Sequence, residues 1–404
     1  MRLLAARVTA AAVIALTPVA AGTATAAAPE PTPAPLLTTA NAIPNDYVVS
    51  LNRGVDPVRF VQEAGVKAKF TYTAAFNGFA ATLTEQQLRT IRHTYGVRGV
   101  AQDGTVTAPP TPAKDVQSKS PANSWGLDRI DQRYLPLDGN FSANNSAQEV
   151  TAYILDTGIE YNHAEFRERL GTRARLGFDA FGGTGADCNG HGTHVAGTVG
   201  GTTVGVARKV KLVSVRVLNC EGTGPWSGII AGFDWVARNA RQPAVLNASL
   251  GGARYLPVNE AATAVSDRGV LPVIAAGNDN RNACDYSPAS ADLGDERHRN
   301  RVVTVGATNR FDEETPFSNW GPCLDIYAPG QDIISARLGG GTVPMSGTSM
   351  AAPHVAGVAA LYKHDHPNAL PAEVADFLDD ESTKDIVENL SDDSPNKLLF
   401  TAGL

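Results

Sequence analysis

The sequence predicts an α/β fold, a doubly wound and mostly parallel sheet with helices on both faces, preceded by a small α+β domain. Three observations predict it. Val150-Thr151-Ala152-Tyr153-Ile154-Leu155 is a near-continuous apolar strand, as a sheet covered on both faces requires. Further strands at Leu212–Leu218, Val245–Leu250, Val270–Ala276 and Val302–Val305 alternate with helical stretches at His194–Val199, Ser227–Ala240 and Asn259–Arg268. That alternation is the mark of parallel strands joined by crossover helices, with a site at the carboxyl ends of the strands. Ahead of them, residues 43–107 read in the order β-α-β-β-α-β, the open-faced, ferredoxin-like sandwich.

Taken in order, Arg2 and Arg7 precede an apolar stretch from Val8 to Val19 and an A-x-A site at Ala24-Thr25-Ala26. This predicts a signal peptide over 1–26 and a secreted, extracellular protein. The stretch is short and broken by Pro18, and no later run has spanning length, so no membrane association is expected. Residues 27–42, with Pro29–Pro35, form a Pro-rich spacer. In the 43–107 unit, Tyr47–Leu51 reads as strand and Pro57–Ala64 as a helix opened by Asp56. Residues 69–83 read as a strand pair about the Asn77-Gly78 turn, Thr84-Glu85-Gln86-Gln87 as a capping box opening a helix through His93, and Val97–Val106 as strand. The linker 108–121 holds four prolines among polar residues, and exposed linkers of this kind attract proteolytic nicking. The remainder, 122–404, is the α/β domain.

Composition narrows the function. Hydrophobic residues at 43% and charged residues at 19% describe an ordinary globular protein. A net charge of -7 argues against general nucleic-acid binding. There is no G-x-x-x-x-G-K-[ST] run, and Val195 stands where G-x-G-x-x-G needs its third glycine.

Three short runs carry the chemistry. Ser346-Gly347-Thr348-Ser349-Met350-Ala351-Ala352-Pro353-His354 leads into a buried helix read from Val355 to Leu361. A serine at such a helix start is a plain N-cap, or a nucleophile beside unpaired N–H groups that stabilise an oxyanion. Asp156 directly follows the first apolar strand. In Asn189-Gly190-His191-Gly192-Thr193-His194, flanking glycines expose His191. The two histidines lack a third ligand for a metal, and His194 reads as a packed core histidine. The order Asp156, His191, Ser349 is one of three in which hydrolases assemble a Ser-His-Asp triad.

These segments resemble the signature regions of the subtilisin-like serine peptidases, and most closely the proteinase K branch with its aqualysin-like members. Trp125-Gly126-Leu127-Asp128-Arg129-Ile130-Asp131-Gln132-Arg133 opens the peptidase part as in those enzymes. The resemblance implies a serine endopeptidase without catalytic cofactor, in which His191 is the base, Asp156 its partner and Ser349 the nucleophile. It implies that Asn278 is the oxyanion-hole asparagine, its amide pairing with the Ser349 N–H. Gly222-Thr223-Gly224 and Ser249-Leu250-Gly251-Gly252 resemble the two edges that hold a substrate as an added strand. Ala275, Ala276 and Gly277 would line an uncharged S1 pocket, giving broad specificity with an apolar or aromatic leaning. Four cysteines allow three pairings, and a free thiol at Cys188 is the alternative. The resemblance implies Cys188–Cys220 and Cys284–Cys323.

The resemblance also implies structural calcium. Asp128, Asp131, Gln132, Asp138 and Asn140 match one oxygen-only site. Asp325, with carbonyls at Asn300 and Val302, matches a second, beside a Ser290–Arg301 stretch that departs from the family pattern. The 43–107 unit resembles the propeptide inhibitors that precede subtilisins, so the expected partners are protein substrates and the chain's own propeptide, cut in the 108–121 linker by the enzyme itself. A monomer is the default. The rival from another class, a catalytically silent binding protein on this fold, would lack Asp156, His191, Ser349 or Asn278, and all four are present.

Overall fold

The computed structural model describes residues 32–108, 124–292 and 302–404. The signal segment, nearly all of the linker and Asn300 lie outside the described residues.

The N-terminal sandwich forms a sheet whose Ala42–Leu51 strand lies between Gly78–Thr82 and Val97–Thr107, both antiparallel to it. The helix Pro57–Glu63 starts where Asp56 accepts the Val58 and Arg59 N–H groups. The capping box of Thr84 and Gln87 opens Glu85–His93. Two local expectations change. Leu36–Leu37, inside the stretch read as spacer, pairs in parallel with Val97–Thr107, and Ala34 is buried. The Asn77-Gly78 pair is not a two-residue hairpin. Ala68–Tyr72 and Gly78–Thr82 are joined by a five-residue connection, 73–77, whose amides are needed elsewhere. Asp234 of the α/β domain accepts the N–H groups of Thr73, Ala74 and Ala75 at 3.0, 2.7 and 2.9 Å.

The α/β domain is built on one sheet in the order 383–384, 397–398, 326–329, 303–308, 271–275, 244–248, 151–156, 211–216, 174–179. Every pairing is parallel except that of the two short C-terminal strands. Residues alternate between two helix layers, as period-2 geometry demands. Ala152 and Ile154 join the core under the helices His191–Gly200 and Thr348–Asp365. Tyr153 and Leu155 join the core under Trp226–Asn239 and Leu256–Ser266. The chain runs from Thr151–Asp156 to strands on one side, then crosses to Ala244–Ala248 on the other. Such a reversal opens a crevice at the carboxyl ends of the strands, and Asp156 stands there.

The sandwich and the α/β domain share a continuous apolar cluster, in which Val48, Tyr72, Phe76 and Val106 pack with Trp226, Leu250 and Tyr255. Tyr72 Oη donates to the Ser227 carbonyl at 2.9 Å, and Asp103 accepts the Ser227 N–H at 3.0 Å. Asp103, bonded to the Ser227 N–H, and the 73–75 amides, bonded to Asp234, therefore grip the 14-residue helix Trp226–Asn239 at its start and near its middle.

Candidate active site

Asp156 ends its strand fully buried, and the next two residues turn the chain sharply. A Cβ on Gly192 would fall 2.2 Å from the Gly158 carbonyl oxygen, and Gly158 itself has φ +116°. Only glycine at both positions lets the His191–Gly200 helix seat its first turn on the turn after Asp156. His191 is the first residue of that helix, and its Nδ1 lies 2.7 Å from Asp156 Oδ1 with both side chains buried. Pairing with the carboxylate assigns the proton to Nδ1 and leaves the Nε2 lone pair available. His191 Nε2 is buried without a hydrogen-bond partner among the described residues. Burial alone would push this imidazole down. The charge and hydrogen bond of Asp156, with the charge of Asp187 behind them, outweigh burial and hold its pKa above the ordinary value.

Asp187 was not singled out from sequence. Its Oδ1 accepts from Thr157 Oγ1, Asn189 N and Gly190 N, each at 2.9 Å, and its Oδ2 from Thr193 N at 2.9 Å and Thr193 Oγ1 at 2.6 Å. Thr157 Oγ1 also takes the Gly192 N–H at 2.9 Å. One buried carboxylate thus folds the loop that presents His191 and ties it to the residue after Asp156. The available signal was an acid four residues before the histidine.

The serine run folds differently from its reading in one respect. The helix starts at Thr348, not at Val355, and continues to Asp365 with Pro353 inside it. Ser349 lies in its first turn and is 2% exposed. Ser349 Oγ donates to the Ser249 carbonyl at 3.3 Å, while Ser249 Oγ donates to the Ser349 carbonyl at 2.8 Å. Asn278 is anchored at the start of the same helix. Its Oδ1 accepts from Thr348 N at 2.8 Å and Thr348 Oγ1 at 2.9 Å, so it is held by the neighbour of Ser349 and not by the Ser349 N–H. With Oδ1 so engaged, the donor Nδ2 turns toward Gly347, 3.2 Å from where a Cβ there would stand.

The two proposed substrate edges flank this centre. Thr223–Pro225 pairs antiparallel with the end of the N-terminal domain, Thr223 opposite Thr107 and Gly224 opposite Val106, and the Ala108 N–H reaches the Gly222 carbonyl at 2.8 Å. On the other side, a Cβ on Gly252 would stand 3.7 Å from Val106 Cγ2. Residues 105–108 thus lie along the edge at 222–225, with Val106 facing Gly252 of the edge at 249–252. Ala275 and Ala276 are buried at the end of their strand, next to the half-buried Gly277.

Both disulfides, Cys188–Cys220 and Cys284–Cys323, are formed. His194 is buried, its Nε2 set 3.0 Å from the carbonyls of Ile333 and Val343, and burial with the neighbouring His191 lowers its pKa to about 3. Among the described residues no group of three or more His, Cys, Asp or Glu side chains is placed to hold a metal ion. At the first expected calcium site the oxygens take backbone amides. Asp128 accepts from Asp138 N and Gly139 N, Asp138 from Asn140 N, Asp131 from Ser142 N, and Gln132 from Asp138 N. Burial, and the charges of Asp128 and Asp138 against the Ser142 bond, raise the Asp131 carboxyl, so an oxygen-rich, anion-crowded loop exists there. Of the second expected site, only Asp325 and Val302 lie among the described residues. Asp325 is half-buried and accepts the Thr304 N–H at 2.7 Å, and desolvation holds its carboxyl up at about 7. Lys397, already paired with Asp379 at 2.7 Å, lines the same cavity of about 60 Å³ with Asp325 and Val302.

Comparison with known proteins gives the family. A model described as the subtilase family matches residues 147–401, and one described as peptidase inhibitor I9 matches 45–109. The extracellular serine proteinase of Thermus sp. (strain Rt41A) is 47% identical over 341 residues, covering 83% of this chain and 78% of that protein. Alkaline serine exoprotease A of Vibrio alginolyticus is 44% identical over 339 residues, covering 83% of this chain and 60% of its own length. The crystal structure of a cold adapted subtilisin-like serine proteinase matches 69% of this chain and 97% of its own, at 47% identity and a TM-score of 0.64. The chain belongs to the subtilase family, a serine endopeptidase with an I9 inhibitor domain ahead of its peptidase domain.

Proposed function

We propose that the enzyme hydrolyses protein substrates through an acyl-enzyme on Ser349, with His191 as general base and acid, Asp156 as its orienting partner and Asn278 as oxyanion donor. The observation that carries this reading is the buried Asp156–His191 hydrogen bond of 2.7 Å, which leaves Nε2 as the acceptor. Ser349 Oγ leaves its 3.3 Å contact with the Ser249 carbonyl and gives its proton to His191 as it attacks. His191 then protonates the leaving amine, and water repeats the sequence on the ester. Backbone N–H groups and the positive end of the 18-residue helix favour the oxyanion beside Ser349.

The substrate binds as a strand between 222–225 and 249–252, where residues 105–108 lie in the precursor. Occupation of that edge by the N-terminal domain supports its role as intramolecular inhibitor, released by self-cleavage in the linker. The uncharged run Ala275, Ala276 and Gly277 supports broad specificity with an apolar or aromatic P1 leaning. The enzyme acts outside the cell as a monomer. Calcium would be held by Asp128, Asp131, Asp138, Gln132 and Asn140, and its chemistry there is to neutralise three carboxylates and stiffen the loop.

The test is labelling of mature enzyme with a fluorophosphonate, followed by peptide mapping. The adduct is expected on Ser349 with parallel loss of casein hydrolysis; modification elsewhere, or hydrolysis that survives complete labelling, would sink the proposal. The oxyanion role has its own test. Asn278→Asp keeps the acceptor for Thr348 but removes the donor, so kcat should fall about 10²–10³-fold with KM nearly unchanged.

A further inference from the structure

Residues 219–223 form a turn closed largely on itself. Asn219 accepts from Glu221 N, Thr223 N and Thr223 Oγ1 and pairs with Thr223 through the backbone. In the precursor this turn is braced by the strand of the N-terminal domain, and that brace leaves on maturation. What then sets the distance from the substrate edge to His191 is a small cluster at the end of the Lys211–Arg216 strand. The Cys188–Cys220 disulfide joins a residue three before His191 to one two before Gly222, and Asn189 Nδ2 donates to the Cys220 carbonyl at 3.0 Å. The Arg216 guanidinium lies at its centre. Its Nη2 is 3.3 Å from Cys188 Sγ and 3.7 Å from Cys220 Sγ, Nε donates to the Leu218 carbonyl at 3.3 Å, and Nη1 to Asp179 at 3.4 Å. Phe181 covers it, its ring centroid 5.3 Å from the guanidinium carbon. The backbone of Arg216 stands in register with Asp156 on the adjacent strand.

We propose that Arg216 and the Cys188–Cys220 disulfide act together as a positioning clamp that holds the substrate edge 222–225 at working distance from His191 once the N-terminal domain has gone. A planar fork suits this task, because one rigid group bonds in several fixed directions at once, which a lysine cannot do. His191 has its own supports in Asp156 and Asp187, so loosening the clamp leaves proton transfer intact and displaces only the edge. The clamp therefore acts on substrates long enough to add a strand there, and not on a single-residue ester that needs only Ser349 and His191.

This rests on the assignment of the substrate edge and catalytic serine above, and the experiment separates the two. Mature wild type, Arg216→Met, Arg216→Lys and the Cys188→Ser/Cys220→Ser double variant are compared on a five-residue amide substrate and an N-acyl amino-acid ester. We expect KM for the peptide to rise about ten-fold in Arg216→Met and in the cysteine pair, a displacement of the edge by a fraction of an ångström being sufficient. Arg216→Lys should fall between, and ester turnover should stay within about two-fold. Equal losses on both substrates, or unchanged peptide KM with only a lower melting temperature, would overturn the clamp. Should Arg216→Met fail to mature, wild-type enzyme treated with a dithiol until mass spectrometry shows the exposed Cys188–Cys220 bridge opened takes its place, with the same expectation and the same overturning result. Wild type inert toward the ester would instead indict the catalytic assignment.

Discussion

Ser349→Ala is expected to leave the precursor uncut and to lower peptide hydrolysis about 2 × 10⁶-fold, the loss that follows removal of the serine in subtilisin, a member of the same family. The residue that remains should be folded. Ser349 is nearly buried but small, and its Oγ makes one long hydrogen bond, to the Ser249 carbonyl. The stronger link between the two segments, Ser249 Oγ to the Ser349 carbonyl at 2.8 Å, uses backbone on the 349 side and survives the change. Stability should therefore fall by no more than about 1 kcal/mol. Wild type and variant precursors, expressed side by side and sized by mass spectrometry, give the readout. A variant that reaches the same shorter species unaided would remove Ser349 from the mechanism, since maturation would then not depend on it.

Asp156→Asn is expected to lower kcat by about 10⁴-fold near neutral pH, the scale reached when a triad carboxylate becomes an amide and the imidazole adopts the wrong tautomer. The pH profile should change with it, and the sign follows from the causes of the His191 shift. Burial opposes the cation, whereas Asp156 and then Asp187 favour it more strongly, leaving the pKa raised. His191 must be neutral to act as base. Wild-type kcat/KM should therefore fall on the acid side with a midpoint above the ordinary imidazole value of about 6.5, and recover as pH rises. In Asp156→Asn the two contributions from that residue vanish while burial remains, so the midpoint should move to lower pH. A limb that stays in place would assign the titration to another group.

The fold was readable where the chain buries apolar strands on both faces, because a run such as Thr151–Asp156 has few alternative fates. Ala174–Asp179 escaped notice because it is an edge strand carrying Arg175 and Asp179 with most of its residues at least partly exposed. The start of the Thr348–Asp365 helix escaped for the opposite reason. Buried almost throughout, it has no polar face to impose a period, and Gly347 and Pro353 read as breakers. At the site, the Asp156, His191 and Ser349 runs announce themselves by small residues around a reactive group. The supports do not. Ser249 lies 100 residues from Ser349 and Arg216 lies 28 from Cys188, and nothing local in a sequence marks a partner at such a distance. Asn278 is an intermediate case, singled out in the sequence while the Thr348 groups that hold its Oδ1 were not.

The helix that begins at Thr348 has a further consequence. Fifteen of its eighteen residues are buried, and it packs on the sheet and on the helix bearing His191, their residues sharing one core. Regions of this kind open to hydrogen exchange only through global unfolding, unlike surface loops that open on their own. Ser349 is thus mounted on the last part of the enzyme to move. Loss of activity on heating then reports melting of the whole domain, and the adjustable part of the machine is the strand edge opposite it.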